Sequence, residues 1–478
     1  MGALPLAASG ASAQSKDPAR QTPIKTPLKV QPALLYSIAK PRKATSWRPW
    51  GGLLTEQDAS AEQERIRREL AEMSSSADFP IEVLPLAPVQ NTDQAAALAK
   101  GAYDVMVVYA ASGAAQALEA LTPANKWNLV FVRHRSGPVY LWYEIAHPRF
   151  LRKTVDEYGH AGMGVEDVVV DSYAEVLYRL RALYGLKNAL GKRIVAVGGP
   201  SGWGVGGRKA PERAREVWKL DIQTVSYPDL GERIKRARQN DALVKRCHNE
   251  AAKYLKQKNV TLQTSKEFVQ NAFLLTEIFR DLLDEARTDA ITINQCMGTI
   301  MPMSETTACL PLSILNDEGY MAFCESDFVV IPSGILLHYI SGKPVFLNDP
   351  TYPHDKLVTL AHCTAPRKMD GQRYEPVRIL THFESDYGAA PKVEMKKGQR
   401  CTNLVPDFAV RKWVGFEGEI VDNPFLHICR SQIDVEIKGD TTKLLEEMKG
   451  FHWMTSYGDY LRETGYALKK LGVEWLKV

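Results

Sequence analysis

Several absences narrow the reading of this chain before any motif is weighed. No apolar run after the N-terminal segment is long enough to span a bilayer. No run of five like charges occurs, and the 60 basic and 56 acidic residues leave a net charge of only +4. A nucleic-acid or other polyanion surface is therefore not expected. The seven cysteines stand singly at 247, 296, 309, 324, 363, 401 and 429, with no CxxC pair and no repeated spacing. Neither a zinc ribbon nor a disulfide framework is indicated, and the odd count leaves at least one thiol free within a monomer. Internal repeats are lacking. So is a GxGxxG fingerprint: Gly202-Trp203-Gly204-Val205-Gly206 has the wrong spacing for a dinucleotide loop and reads as a tight turn after a strand.

The N-terminus lacks charge before Lys16 and carries Ala11-Ser12-Ala13, an A-x-A cleavage pattern. Residues 1–13 are read as the remnant of an export leader, with a disordered small-residue extension as the plainer alternative. Residues 14–31, rich in Pro, Lys, Gln and Thr, are read as a linker. The expected location is periplasmic or secreted if that leader is real, and cytoplasmic otherwise.

What is present is an ordinary globular balance, 45% hydrophobic and 24% charged over 478 residues, enough for about three domains. Short apolar strands alternate with helical segments over 32–188, from "ALLYSIAK" through "YDVMVVYAA" to "WNLVFVRH". That pattern predicts βαβ units on a parallel sheet. A second α/β domain is expected over 189–350, opening at "KRIVAVGG" and including one long helical stretch from Leu230 to about Arg287. Residues 351–478 change texture. Val-, Thr-, Phe- and Gly-rich alternating runs predict an antiparallel, barrel-like β domain with terminal helices. The fold class is thus α/β, two Rossmann-like parallel-sheet domains followed by a C-terminal β domain.

The stretch "AFCESDFVVIPSG", 322–334, sets Glu325 and Asp327 inside an apolar run, where carboxylates are costly without partners. If "YMAFCES" is a parallel strand, these acids lie at its C-terminal end, where open α/β sheets bind ligands. Glu305, in the loop after the preceding strand, reaches the same rim. Three converging carboxylates call for a cation. His362, His382 and His452 are candidate partners. For any one of them a structural role is the simpler reading, and His452 gains from its Gly-Phe-His-Trp setting, suited to a sugar ring. Mixed carboxylate and imidazole donors suit Mn, Mg or Zn, with Mn favoured.

"PMSETTACLPLSILNDEGYMAFCESDFVVIPSGILLHYISGKPVFLNDP", followed by "AHCTAP" and "GFHWMTSYGDY", resembles the L-fucose isomerase and L-arabinose isomerase superfamily, in particular its short fucose-isomerase-like members. The resemblance covers 290–365 well, the C-terminal third loosely, and the first 190 residues in architecture alone. It implies two Rossmann-like domains, a C-terminal β-barrel and a homo-oligomer, trimer or hexamer. It also implies a divalent metal, usually Mn2+, held by two acids and a late histidine. On this chain the first acid corresponds to Glu305, the second to Glu325 or Asp327, and the histidine to His452. His362, Trp453 and Asn348 are candidate sugar-binding residues.

The expected activity is aldose–ketose isomerisation of a free sugar through an enediol, with the carboxylates dividing the proton transfers. The alternatives are an exported glycoside hydrolase or lyase using the same acids, and a non-catalytic carbohydrate-binding protein with Trp203, Trp413 and Trp453 as stacking platforms.

Overall fold

The computed structural model describes residues 25–151 and 159–478; the expected leader, 1–13, and most of the expected linker lie outside them. The first layer is a parallel sheet of β1 (Leu28–Leu35), β2 (Ile81–Val83), β3 (Ala87–Val89), β4 (Val105–Ala110), β5 (Trp127–Val132) and β6 (Val168–Val170). Its order is β2-β1-β4-β5-β6, with β3 also beside β1. β4 is buried along its whole length, as a strand covered by helices on both faces must be. β1 begins inside the stretch read as linker. Leu28 and Val30 are fully buried, and their pairing to Ile81 and Val83 makes 28–31 part of the sheet.

The second sheet holds β7 (Arg193–Val197), β8 (Asp221–Val225), β10 (Ala290–Ile293) and β11 (Met321–Phe323) in the parallel order β11-β10-β7-β8. The stretch expected as one long helix is instead three helices, Tyr227–Arg238, Asp241–Leu255 and Lys266–Ala286, interrupted by β9 (Val260–Leu262). Val260 and Thr261 are β-branched and favour the extended form. β9 has a partner there, running parallel to β14 (Val377–Leu380) of the C-terminal unit.

The C-terminal unit is a closed antiparallel barrel. β12 (Phe346–Pro350), β13 (Leu357–His362), β16 (Gln399–Val405), β17 (Lys412–Asp422), β18 (Ser431–Ile437) and β19 (Trp453–Tyr457) run in the order β16-β19-β12-β13-β18-β17, and β16 pairs with β17 to close it. β15 (Ala390–Val393) pairs with β14 at the side, and β20 (Glu474–Lys477) adds parallel to β17. None of the described helices is long and apolar enough to cross a membrane.

The helix Ile331–Ser341 joins these units. Every residue in it is buried, which its mostly apolar sequence permits. At Gly334 an added Cβ would come within 2.7 Å of both Phe323 Cε1 and Met454 Cε. The helix backbone therefore lies directly against β11 and β19, and both strands lead to the site described below.

The same helix buries His338, 3% exposed. Burial, reinforced by the Lys25 and Lys192 charges and opposed by Asp289, pushes its imidazole down to about 4. The folded state keeps His338 neutral where the unfolded chain would be protonated. Stability should therefore fall as pH drops from about 6.5 toward about 4, by roughly 3 kcal/mol in full. Denaturant unfolding of the wild type and of His338→Phe across that range checks this: the variant should show a shallower acid-side slope.

Candidate metal centre

A cavity of about 650 Å³ opens where the second sheet meets the barrel. Its sheet side is the set of loops leaving the C-terminal ends of β7, β10 and β11, including Ser201–Gly204, Asn294–Gly298 and Cys324–Asp327. Its barrel side supplies Asp349 from β12, His362 from the end of β13, and His452 just before β19. This is the carboxyl-edge position at which open α/β sheets bind ligands.

The acid loop departs from the extended form. After Phe323 the chain enters Glu325 at φ 63° and Ser326 at φ 48°. Two successive non-glycine residues in the left-handed region cost on the order of 1–3 kcal/mol each and persist only under constraint. The constraint is visible. Ser201 N donates to Ser326 O at 3.0 Å, and Phe328 N donates to Ser201 O at 3.0 Å. The turn separates the two acids, so they do not lie side by side on one face. They reach His452 from opposite sides.

Asp327 is buried, 2% exposed. Its Oδ1 accepts from Val329 N at 3.0 Å and Trp203 N at 3.2 Å. Its Oδ2 lies 2.8 Å from His452 Nδ1. That contact fixes the ring's orientation and turns Nε2 into the cavity. Asp327 thus caps the turn before the Ile331–Ser341 helix and also orients the histidine.

Around that Nε2 the donors converge. Glu325 Oε2 is at 3.3 Å and Asp349 Oδ1 at 3.1 Å. His362 Nε2 lies 3.7 Å from Glu325 Oε1, while its Nδ1 is engaged with Thr364 Oγ1 at 3.0 Å. One ligand atom from each of Glu325, His362 and His452 lies within 4.8 Å of the other two. Bonds of about 2.0–2.2 Å to one cation bring such donors to comparable separations. Both buried Nε2 atoms, and Asp349 Oδ1, make no hydrogen bond among the described residues. Buried polar atoms without partners call for one. The set of one carboxylate and two imidazoles fits a first-row divalent cation.

The electrostatics agree. Glu325 keeps 47% of its side chain exposed; its partial desolvation disfavours the charged form, but the His362 and His452 imidazoles outweigh it and hold the carboxyl well below the usual range. Burial likewise disfavours protonated His452, and Asp327, Asp349 and Glu325 overcome it, raising that histidine well above its ordinary value. The pocket draws positive charge to this point.

Other expected site residues lie elsewhere. Glu305 is not at the rim: its carboxylate is 54% exposed and pairs with Arg238 Nη1 at 3.0 Å. The π-type turn Cys296–Ile300 and the short helix Met301–Ser304 carry it away from the edge. Asn348 is buried in the barrel, donating to Phe346 O at 2.8 Å and Thr455 Oγ1 at 3.0 Å. Trp453 is fully buried and packs edge-on against Phe416 at 5.7 Å. Trp413 is fully buried against Trp218. Only Trp203 of the three tryptophans lines the cavity, stacked on Phe451 at 4.1 Å. His382 lines the cavity but belongs to a different cluster. Asp349 was not among the expected residues. Strand alternation offered a signal, since the neighbour of an inward Asn348 must face the other way.

No protein-family model matches the chain, and no curated protein is significantly similar to it.

Replacing Asp327 by Asn should keep the shape but weaken the hold on His452, lowering divalent-metal affinity by about 10–100-fold. Glu305→Gln should leave affinity unchanged. Calorimetric titration of both variants with Mn2+ checks this.

Proposed function

We propose that the chain is a metal-dependent aldose–ketose isomerase of the fucose and arabinose isomerase type, acting on a free sugar. The observation that carries this is the convergence of Glu325, His362 and His452 in a polar cavity at the carboxyl edge of a parallel sheet. In this reading those three residues hold Mn2+ or a similar divalent cation. When bound, it supplies a Lewis acid that acidifies a substrate hydroxyl and steadies enediolate charge. The protein's own part is then proton transfer. Asp349, 25% exposed in its side chain and aimed at the same point, is the carboxylate best placed to carry the proton between the two adjacent sugar carbons. Asp327, with both oxygens committed, positions His452 and moves no proton. Trp203 and Phe451 offer an aromatic wall to the sugar's apolar face.

The rival readings have less support. Glycoside hydrolysis calls for a pair of carboxyl groups flanking the scissile bond, whereas here the carboxylates Glu325 and Asp349 converge on one imidazole, His452. A binding protein with three stacking tryptophans loses two of them to the core.

The test is elemental analysis of protein purified without chelator, then incubation with free aldoses in D2O. Bound metal at one or more per chain, ketose product and deuterium at the exchanged carbon are expected. Absence of metal together with hydrolysis of a glycoside would overturn the reading. Asp349→Asn should retain metal and lose turnover by at least ~10²-fold, the usual loss for a general base; loss of metal as well would make Asp349 a fourth ligand.

A further inference from the structure

Beside the carboxylate–histidine cluster, the cavity wall is rich in sulfur. Five of the seven cysteines, 296, 309, 324, 363 and 429, line it. Scattered singly along the chain, they are gathered by the fold. Cys309 is the first residue of the helix Cys309–Asp317, and Cys363 directly follows His362 at the end of β13. Cys429 stands just before β18 and packs against the small cluster these two form with Ala390. His382, just past the end of β14, completes the group.

We propose that Cys309, Cys363 and His382 form a second, sulfur-rich cation site for a thiophilic divalent ion of the zinc type, separate from the Glu325 centre. One ligand atom from each lies within 4.8 Å of the other two, and all three residues are buried. Two thiolates and one imidazole are a zinc donor set, and Cys429 or water is available for the fourth position. Two thiolates balance a dication, so the loaded site is neutral overall in its largely buried surroundings.

A second observation points to a ligand independently. His382 is 7% exposed, and its Nδ1 makes no hydrogen bond among the described residues. The loop is fixed around it: His382 N donates to Tyr387 O at 2.9 Å, and Asp386 N donates to His382 O at 3.0 Å. A buried imidazole with a nitrogen that makes no hydrogen bond, on a ring that brings one nitrogen within 4.8 Å of both sulfurs, is equipped to take a ligand. Cys363 Sγ also accepts a hydrogen bond from Arg430 N at 3.4 Å, the kind of outer contact that steadies a coordinated thiolate. Successive residues 362 and 363 thus serve different sets. His362 Nε2 turns to Glu325, while Cys363 packs with Cys309.

The proposal is independent of the isomerase reading, and one experiment separates them. The full chain, reduced and freed of metal, is titrated with Co2+, and bound ion is counted by elemental analysis. Wild-type protein should bind two ions and develop a thiolate-to-cobalt charge-transfer band in the near ultraviolet. Glu325→Gln should bind one ion and keep the band. The double variant Cys309→Ser, Cys363→Ser should bind one ion and lose it. A folded Glu325→Gln protein without the band would overturn the sulfur site, as would thiol titration showing Cys363 already tied in a disulfide. A wild type that binds a single ion with the band would keep the sulfur site and remove the Glu325 centre instead. If the double serine variant does not fold, His382→Ala serves: its Co2+ affinity at the band should fall at least tenfold, and an unchanged affinity would overturn the proposal.

Discussion

The contact on which the candidate centre depends is the hydrogen bond between Asp327 and His452, 2.8 Å long and joining residues 125 apart in the chain. It crosses from the second α/β unit to the barrel. A buried carboxylate is tolerable only when its oxygens are fully engaged, and here they are. Backbone N–H groups of Val329 and Trp203 take one oxygen and the imidazole takes the other. The carboxyl that would otherwise be costly in the interior becomes the means of fixing the orientation of the His452 ring. Glu325 and Asp349 then face a nitrogen whose direction is set.

The rest of the site is arranged around that bond at some conformational cost. Glu325 and Ser326 both sit in the left-handed region. They stay there because the β7 loop hydrogen-bonds across them through Ser201. The same loop supplies Trp203 N to Asp327. One loop therefore enforces the turn that aims Glu325 and holds the acid that aims His452. Strain of this sort collects where geometry must be held for a ligand.

The two structural units meet because the helix Ile331–Ser341 packs against both. Gly334 allows its backbone to lie against Phe323 and Met454 together. Phe323 ends the strand before Glu325, and Met454 begins the second residue of the strand after His452. The approach that buries the helix also sets the spacing of Glu325 and His452. Core packing and site geometry are here the same set of contacts.

Local sequence carried much of the architecture. Short apolar runs such as "VMVVYA", rich in β-branched residues, read as strands buried on both faces, and the change to alternating patterns after 350 announces the antiparallel barrel. The acids at 325 and 327 stood out because carboxylates in an apolar run need partners, and both line the cavity. Composition likewise excluded a long apolar helix, and the structure has none among its described helices. Which residues meet was another matter. Glu305 stands on a turn that leaves the sheet edge, and nothing in its neighbours reveals that direction. Asp349 and Asn348 are adjacent, and strand register alone decides which faces the cavity. Trp453 looks like a sugar platform next to His452 but faces the barrel core. The cysteines are the clearest case. Scattered at irregular intervals, they carry no spacing signal, and only the closure of the barrel against the second sheet brings five of them to one cavity. Periodicity reports which side of an element is buried; it does not report which distant element does the burying, and that is settled by packing.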